Sequence, residues 1–85
     1  MKIELKGASH GPVYAQVRDH IESEIRAGQL VAGELLPAPA ALAKQLSVDQ
    51  GEIQRAYFEL EHGGVVRKES GKDFLGKPKV SYIVK

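Results

Sequence analysis

Cysteine is absent from this 85-residue chain, so it can build neither a disulfide framework nor a thiolate metal site. A charge excess is also missing. There are 12 Lys and Arg against 11 Asp and Glu, a balance that gives no whole-molecule attraction to nucleic acid or to a membrane surface. No long hydrophobic run occurs. The longest, Leu35 to Ala43, is interrupted by Pro37 and Pro39 and falls far short of the roughly 20 apolar residues of a membrane helix. The opening MKIELKGASHGPVY holds no apolar stretch of signal-peptide length. His10, His20 and His62 lack metal-ligand spacing, and no phosphate-binding glycine loop is present. These absences point to a soluble cytoplasmic protein with no metal, no cofactor and no membrane partner.

What is present reads as one domain over residues 1–85, of ordinary globular composition. Lys2 to Lys6 alternates polar and apolar, as a short edge strand does, and Gly7 to Pro12 is turn-rich. Val13, Tyr14, Val17, Ile21 and Ile25 form one stripe of a helix over Val13 to Ala27, with Gly28 as its terminator. Glu34-Leu35-Leu36 suits a very short strand. Pro39 opens a second helix to Leu46, whose inward face is Leu42, Ala43 and Leu46. After a tight turn at Ser47-Val48, a third helix covers Gln50 to His62, with Ile53, Ala56, Tyr57 and Leu60 facing inward. Asp49 and Glu52 fit a capping box, in which Asp49 accepts from the N–H three residues on and Glu52 reaches back. Tyr14 and Tyr57 both lie on apolar stripes and read as core. Val65 to Glu69 and Lys79 to Val84 are strands joined by the loop Ser70 to Pro78. The expected class is α+β. An N-terminal strand and linker (1–11) precede a three-helix core (12–64) and a C-terminal hairpin wing (65–85), which is a winged helix-turn-helix.

The residues also resemble a known family. Pro12-Val13-Tyr14-Ala15-Gln16-Val17, Ile25-Arg26-Ala27-Gly28-Gln29-Leu30 and Gly33-Glu34-Leu35-Leu36-Pro37 are similar to successive landmarks of the GntR-type DNA-binding domain. Leu42-Ala43, Leu46-Ser47-Val48, Arg55-Ala56, Leu60-Glu61 and Gly64-Val65-Val66 continue in register, so the resemblance covers roughly Pro12 to Lys72. It implies a regulator that acts as a homodimer, with its third helices in successive major grooves of double-stranded DNA and its wings on the flanking backbone. Where the resemblance implies Ser-Glu-Arg after Leu36-Pro37, this chain has Ala38, Pro39 and Ala40. Where it implies Ser-Arg-Thr-Thr at the start of the third helix, the chain has Asp49, Gln50, Gly51 and Glu52. Asp73 stands in place of a wing glycine.

Charge divides the candidates. Asp49 to Gly64 carries four acids and one base, whereas Val65 to Lys85 carries six bases and two acids. Affinity for duplex DNA comes largely from neutralised phosphates, so binding is expected to be weak and carried by the wing. The candidate contacts are Gln50, Glu52, Gln54 and Arg55 on the helix and Lys68, Lys72, Lys77 and Lys79 on the wing. Gln50 suits adenine and Glu52 suits a cytosine amino group, although Asp49 and Glu52 read first as a helix cap. The wing lysines serve equally as phosphate contacts or as a solvated hairpin that resists edge pairing. The alternative function is a winged helix that no longer reads DNA and instead mediates dimerisation or contact with a protein partner. Gly7-Ala8-Ser9-His10-Gly11 fits the hydrolase nucleophile elbow, but that elbow needs a large parallel sheet this chain has no room for. No enzymatic activity is expected.

Overall fold

The apolar stripes become three helices, and the wing becomes an antiparallel pair. A computed structural model describes residues 3–85, with α1 at Val13–Arg26, α2 at Pro39–Leu46, α3 at Gln50–His62, β1 at Val66–Lys72 and β2 at Pro78–Val84. Helix α1 stops one residue before the expected end, and α2 and α3 match their expected spans. Val17 and Ile21 of α1, Leu42 of α2, and Ile53, Ala56, Tyr57 and Leu60 of α3 are fully buried together, with Val66 of β1 closing the cluster. The stripes therefore do what their period implies, since each helix turns one face to a shared core.

Local chemistry fixes the junctions. Gly28 takes φ 79° just past α1, the left-handed conformation that favours glycine. Ser47, at φ 58°, turns the chain between α2 and α3. The Tyr57 hydroxyl donates to the Pro37 carbonyl at 2.8 Å. Its ring meets Tyr82 of β2 edge-on, with centroids 4.9 Å apart. One side chain thus ties α3 to the segment before α2 and to the hairpin. Burial, with the nearby Tyr82 as a lesser cause, pushes the Tyr57 phenol well above its ordinary range.

The hairpin register pairs Val66 with Val84 and Lys72 with Pro78. Leu35 bridges Ile83 on the outer edge of β2, which is the expected very short strand. The turn is tighter than the expected Ser70 to Pro78 loop. Ladder pairing continues to Lys72 and Pro78, leaving residues 73–77 as the connection.

Among the described residues, the expected strand at Lys2 to Lys6 does not form. Lys2 lies outside the described residues, and Ile3 to Lys6 pairs with no strand. A side chain takes the place of the missing partner. Gln16 of α1 accepts from the Lys6 N–H at 2.7 Å and donates to the Lys6 carbonyl at 3.1 Å. Ile3 is buried in the core, and Leu5 packs against it. Alternation here marks one face laid on a helix, without a ladder. The apolar residues of β2, Val80, Tyr82 and Val84, do not form a free face for pairing with a second chain. Val84 is buried and Tyr82 packs on the core, leaving only Val80 exposed.

Candidate nucleic-acid interface

Helix α3 presents its candidates on two different sides. Gln50, Gln54 and Phe58 recur every four residues, the spacing of one helix face, and all three are exposed. That face forms one wall of a groove of about 490 Å³, with Ala38, Pro39 and Ala40 from the start of α2 and Lys68, Val80 and Tyr82 from the hairpin. Gln50, Gln54 and Lys68 are therefore brought together. The amides can donate and accept at base edges, while the alanines and Phe58 can meet thymine methyl groups.

Glu52 and Arg55 lie on the other side, against α1. Helix α1 begins after Pro12, which has no side chain able to cap it. Glu52 supplies that cap from 38 positions away, with its Oε2 accepting from the Tyr14 N–H at 3.2 Å. A carboxylate at a helix N-terminus also complements the helix dipole. The expected capping box is accordingly only half formed. Asp49 accepts from Gly51, two residues on, at 3.2 Å, and Glu52 does not reach back. The Arg55 guanidinium stacks over the Tyr14 ring, 4.0 Å from its centroid, and lies 3.8 Å from Glu59. Tyr14 is therefore half-buried core and a seat for a cation at once. Arg18 joins the same network through Asp19 and Glu59, and these carboxylates hold its guanidinium far above the ordinary range.

The cap gives a direct expectation. Glu52→Ala removes a charged acceptor from the start of α1 and destabilises the domain by about 1 kcal/mol. For a domain of this size that lowers the melting temperature by about 4–8 °C. DNA affinity is expected to hold, because Glu52 lies on the α1 side of α3, away from the face that lines the groove. An unchanged melting temperature contradicts the capping role.

The cations are divided as sharply as the helix faces. All four arginines are engaged by carboxylates: Arg18 by Asp19 and Glu59, Arg26 by Glu22, Arg55 by Glu59 and Arg67 by Glu69. Among the described residues no carboxylate pairs with Lys68, Lys72, Lys77 or Lys79, and all four are exposed. Alternation along the strands places Lys68 and Lys72 on the hairpin face that carries Val80 and Tyr82, beside the groove. Lys79, opposite Gly71, is on the reverse face with Glu69 and Ser81. Lys77 belongs to the turn. The wing lysines are thus unpaired but do not share one surface.

Two features escaped the sequence reading. Phe58 was legible from its four-residue spacing after Gln54. Phe74 and Leu75 at the hairpin tip carried no signal, because only the turn geometry shows where they sit. The hydrolase-like Ser9 and His10 lie on one turn of 3-10 helix, with the hydroxyl 3.4 Å from Nδ1. Among the described residues, no carboxylate hydrogen-bonds that ring, and no group of acids and histidines could hold a metal ion. No helix of the described residues is long and apolar enough to cross a membrane.

This arrangement has known counterparts. The model of the bacterial regulatory proteins of the gntR family matches residues 13–75. YtrA from Sulfolobus acidocaldarius, a GntR-family transcription factor, superposes on 99% of this chain and 78% of its own, with a TM-score of 0.76 and 31% identity. AraR(DBD), in complex with operator ORX1, superposes on 100% of this chain and 96% of its own with a TM-score of 0.72. At 23% identity that likeness speaks to fold alone. The HTH-type transcriptional regulator YhcF of Bacillus subtilis is 34% identical over 64 residues, which are 75% of this chain and 53% of YhcF. The chain thus spans about half the length of that relative.

Proposed function

The chain belongs to the gntR family of bacterial regulatory proteins, and from that premise we propose that it is a DNA-binding module of a cytoplasmic transcriptional regulator. It binds double-stranded DNA as one member of a homodimer. Helix α3 enters the major groove with Gln50 and Gln54 at base edges, and the hairpin lies on the flanking backbone. The observation that carries this reading is the partition of cations. Every arginine is held by carboxylates, while among the described residues the four wing lysines are unpaired, and Lys68 and Lys72 lie on the hairpin face beside a groove lined by amides and apolar groups. Unpaired lysines supply the phosphate attraction, and uncharged amides supply base contacts without a cation of their own.

Pairing follows from the reach of a single helix. One α3 covers one half-site, and helix-turn-helix proteins extend a site by placing two such helices about one DNA turn apart. Nothing in the geometry favours the alternative of a module that has lost DNA.

Amide chemical-shift mapping tests the reading. Titration with a mixed-sequence duplex is expected to move the signals of Gln50, Gln54, Lys68 and Lys72, and to leave Asp19, Glu22 and Ser23 on the far side of α1 unmoved. Shifts confined to α1, or none at low salt, sink it.

A further inference from the structure

Phe74 is 95% exposed and Leu75 is 65% exposed, side by side at the tip of the hairpin. The turn that presents them is held without any help from their side chains. The Asp73 N–H donates to the Lys77 carbonyl at 2.9 Å, and the Gly76 N–H donates to the Asp73 carbonyl at 2.9 Å. Asp73 Oδ1 accepts from the N–H groups of Leu75 at 2.9 Å and Lys77 at 3.0 Å. Gly76 closes the turn at φ 79°, where a side chain would be strained. The aspartate standing where the resemblance implies a wing glycine therefore builds a rigid support for two apolar residues.

The hairpin carries this tip well clear of the core. Only Val66 of β1 is buried, and its other six residues are exposed. At about 3.3 Å per residue they span roughly 20 Å. Lys72 and Lys77 flank the tip, and Lys79 follows on β2. The nearest acids are occupied, Asp73 by backbone N–H groups and Glu69 by Arg67. An apolar point ringed by free cations complements a narrow slot walled by phosphates.

We propose that Phe74 and Leu75 form a wedge that enters the minor groove beside the α3 contact, unstacks one base step and kinks the duplex. The proposal rests on the DNA-binding reading above. The minor groove is about 6 Å wide, which suits a two-residue tip, and phenylalanine and leucine are residue types that other proteins insert between base pairs. Pyrimidine–purine steps yield most readily, so a TA or CA step is the expected target. A protein partner suits the tip less well, because stable interfaces cover about 800 Å² on each side. A membrane suits it less well too, because a single acyl chain, with more apolar groups than these two residues, gives only marginal attachment.

The test uses the whole chain and a short mixed-sequence duplex with one TA step, 2-aminopurine at its adenine and a dye at each end. Wild type is expected to raise the 2-aminopurine fluorescence and bring the ends closer, as a kink of roughly 20–90° would. The variant Phe74→Ala/Leu75→Ala is expected to lose both signals yet keep the salt dependence of binding, since its lysines remain. Wild-type binding without unstacking overturns the wedge and leaves the DNA-binding reading standing. Absence of any duplex binding at low salt removes both. Capture by anionic phospholipid vesicles that the double variant abolishes, with no change at the duplex, assigns the tip to lipid and overturns the wedge.

Discussion

Replacing Lys68, Lys72, Lys77 and Lys79 together with glutamine is expected to remove most of the affinity for duplex DNA while leaving the fold intact. Each phosphate contact contributes about 0.9 to the slope of log affinity against log salt. Lys68 and Lys72 share the hairpin face beside the groove, Lys77 stands at the turn, and Lys79 points the other way. Two or three contacts are therefore lost, and the slope falls by about 1.8–2.7. Carried from a common affinity at 1 M salt down to 0.1 M, that is a loss of roughly two powers of ten or more. Lys79→Gln alone is expected to cost the least of the four single changes. None of the four makes an ion pair among the described residues, so stability is expected to stay within about 0.5 kcal/mol. Fluorescence anisotropy across a salt series measures the slope. An unaltered slope would remove the wing from the contact surface.

The second large effect is on the fold that positions this surface. Tyr57→Ala empties the centre of the core, loses the edge contact with Tyr82 and leaves the Pro37 carbonyl without its donor. Truncation of a large buried aromatic costs about 3–5 kcal/mol, against a total of about 5–15 kcal/mol for a typical domain. The variant is expected to melt at least roughly 12 °C lower, at about 4–8 °C per kcal/mol. Tyr57→Phe keeps the ring and loses only the hydrogen bond, for about 1 kcal/mol. The two variants also differ from wild type in alkali. Burial holds the phenol protonated in the folded state beyond its ordinary value of 10.0. The unfolded chain therefore releases that proton first, and stability falls as pH rises past 10.0. Tyr57→Phe is expected to lack this part of the alkaline loss. Urea denaturation at neutral and alkaline pH measures both effects, and an alkaline loss unchanged in Tyr57→Phe would contradict the assignment.

The three helices were legible in the sequence because the burial period and the terminators agree. Val17 and Ile21 share one stripe, Pro39 opens α2, and Gly28 ends the first turnover of chain. Interactions between distant positions were not legible. Nothing near Glu52 in the sequence shows that it caps a helix begun at Val13, because the demand comes from Pro12 and the geometry comes from packing α1 on α3. The same packing turns Arg55 onto Tyr14, on the side of α3 away from the amide-lined groove. The N-terminal alternation misled for a related reason. Period-two patterning reports only that one side is buried, and here the cover is α1 with the Gln16 amide in place of a strand. For the site, residue type pointed to Gln50, Gln54 and the lysines, but only hairpin register separates Lys79 from Lys68 and Lys72. The exposed pair at Phe74 and Leu75 depends on a turn built by Asp73, which in sequence reads only as a lost glycine.

The central claim is that free wing lysines and an uncharged α3 face make this domain a binder of duplex DNA. Its most direct test is the salt dependence of wild-type binding to a mixed-sequence duplex. Measurable affinity is expected at low salt, with a slope magnitude of about 1.8–3.6, corresponding to two to four phosphate contacts per chain. No binding at low salt, or binding with a slope near zero, would contradict it.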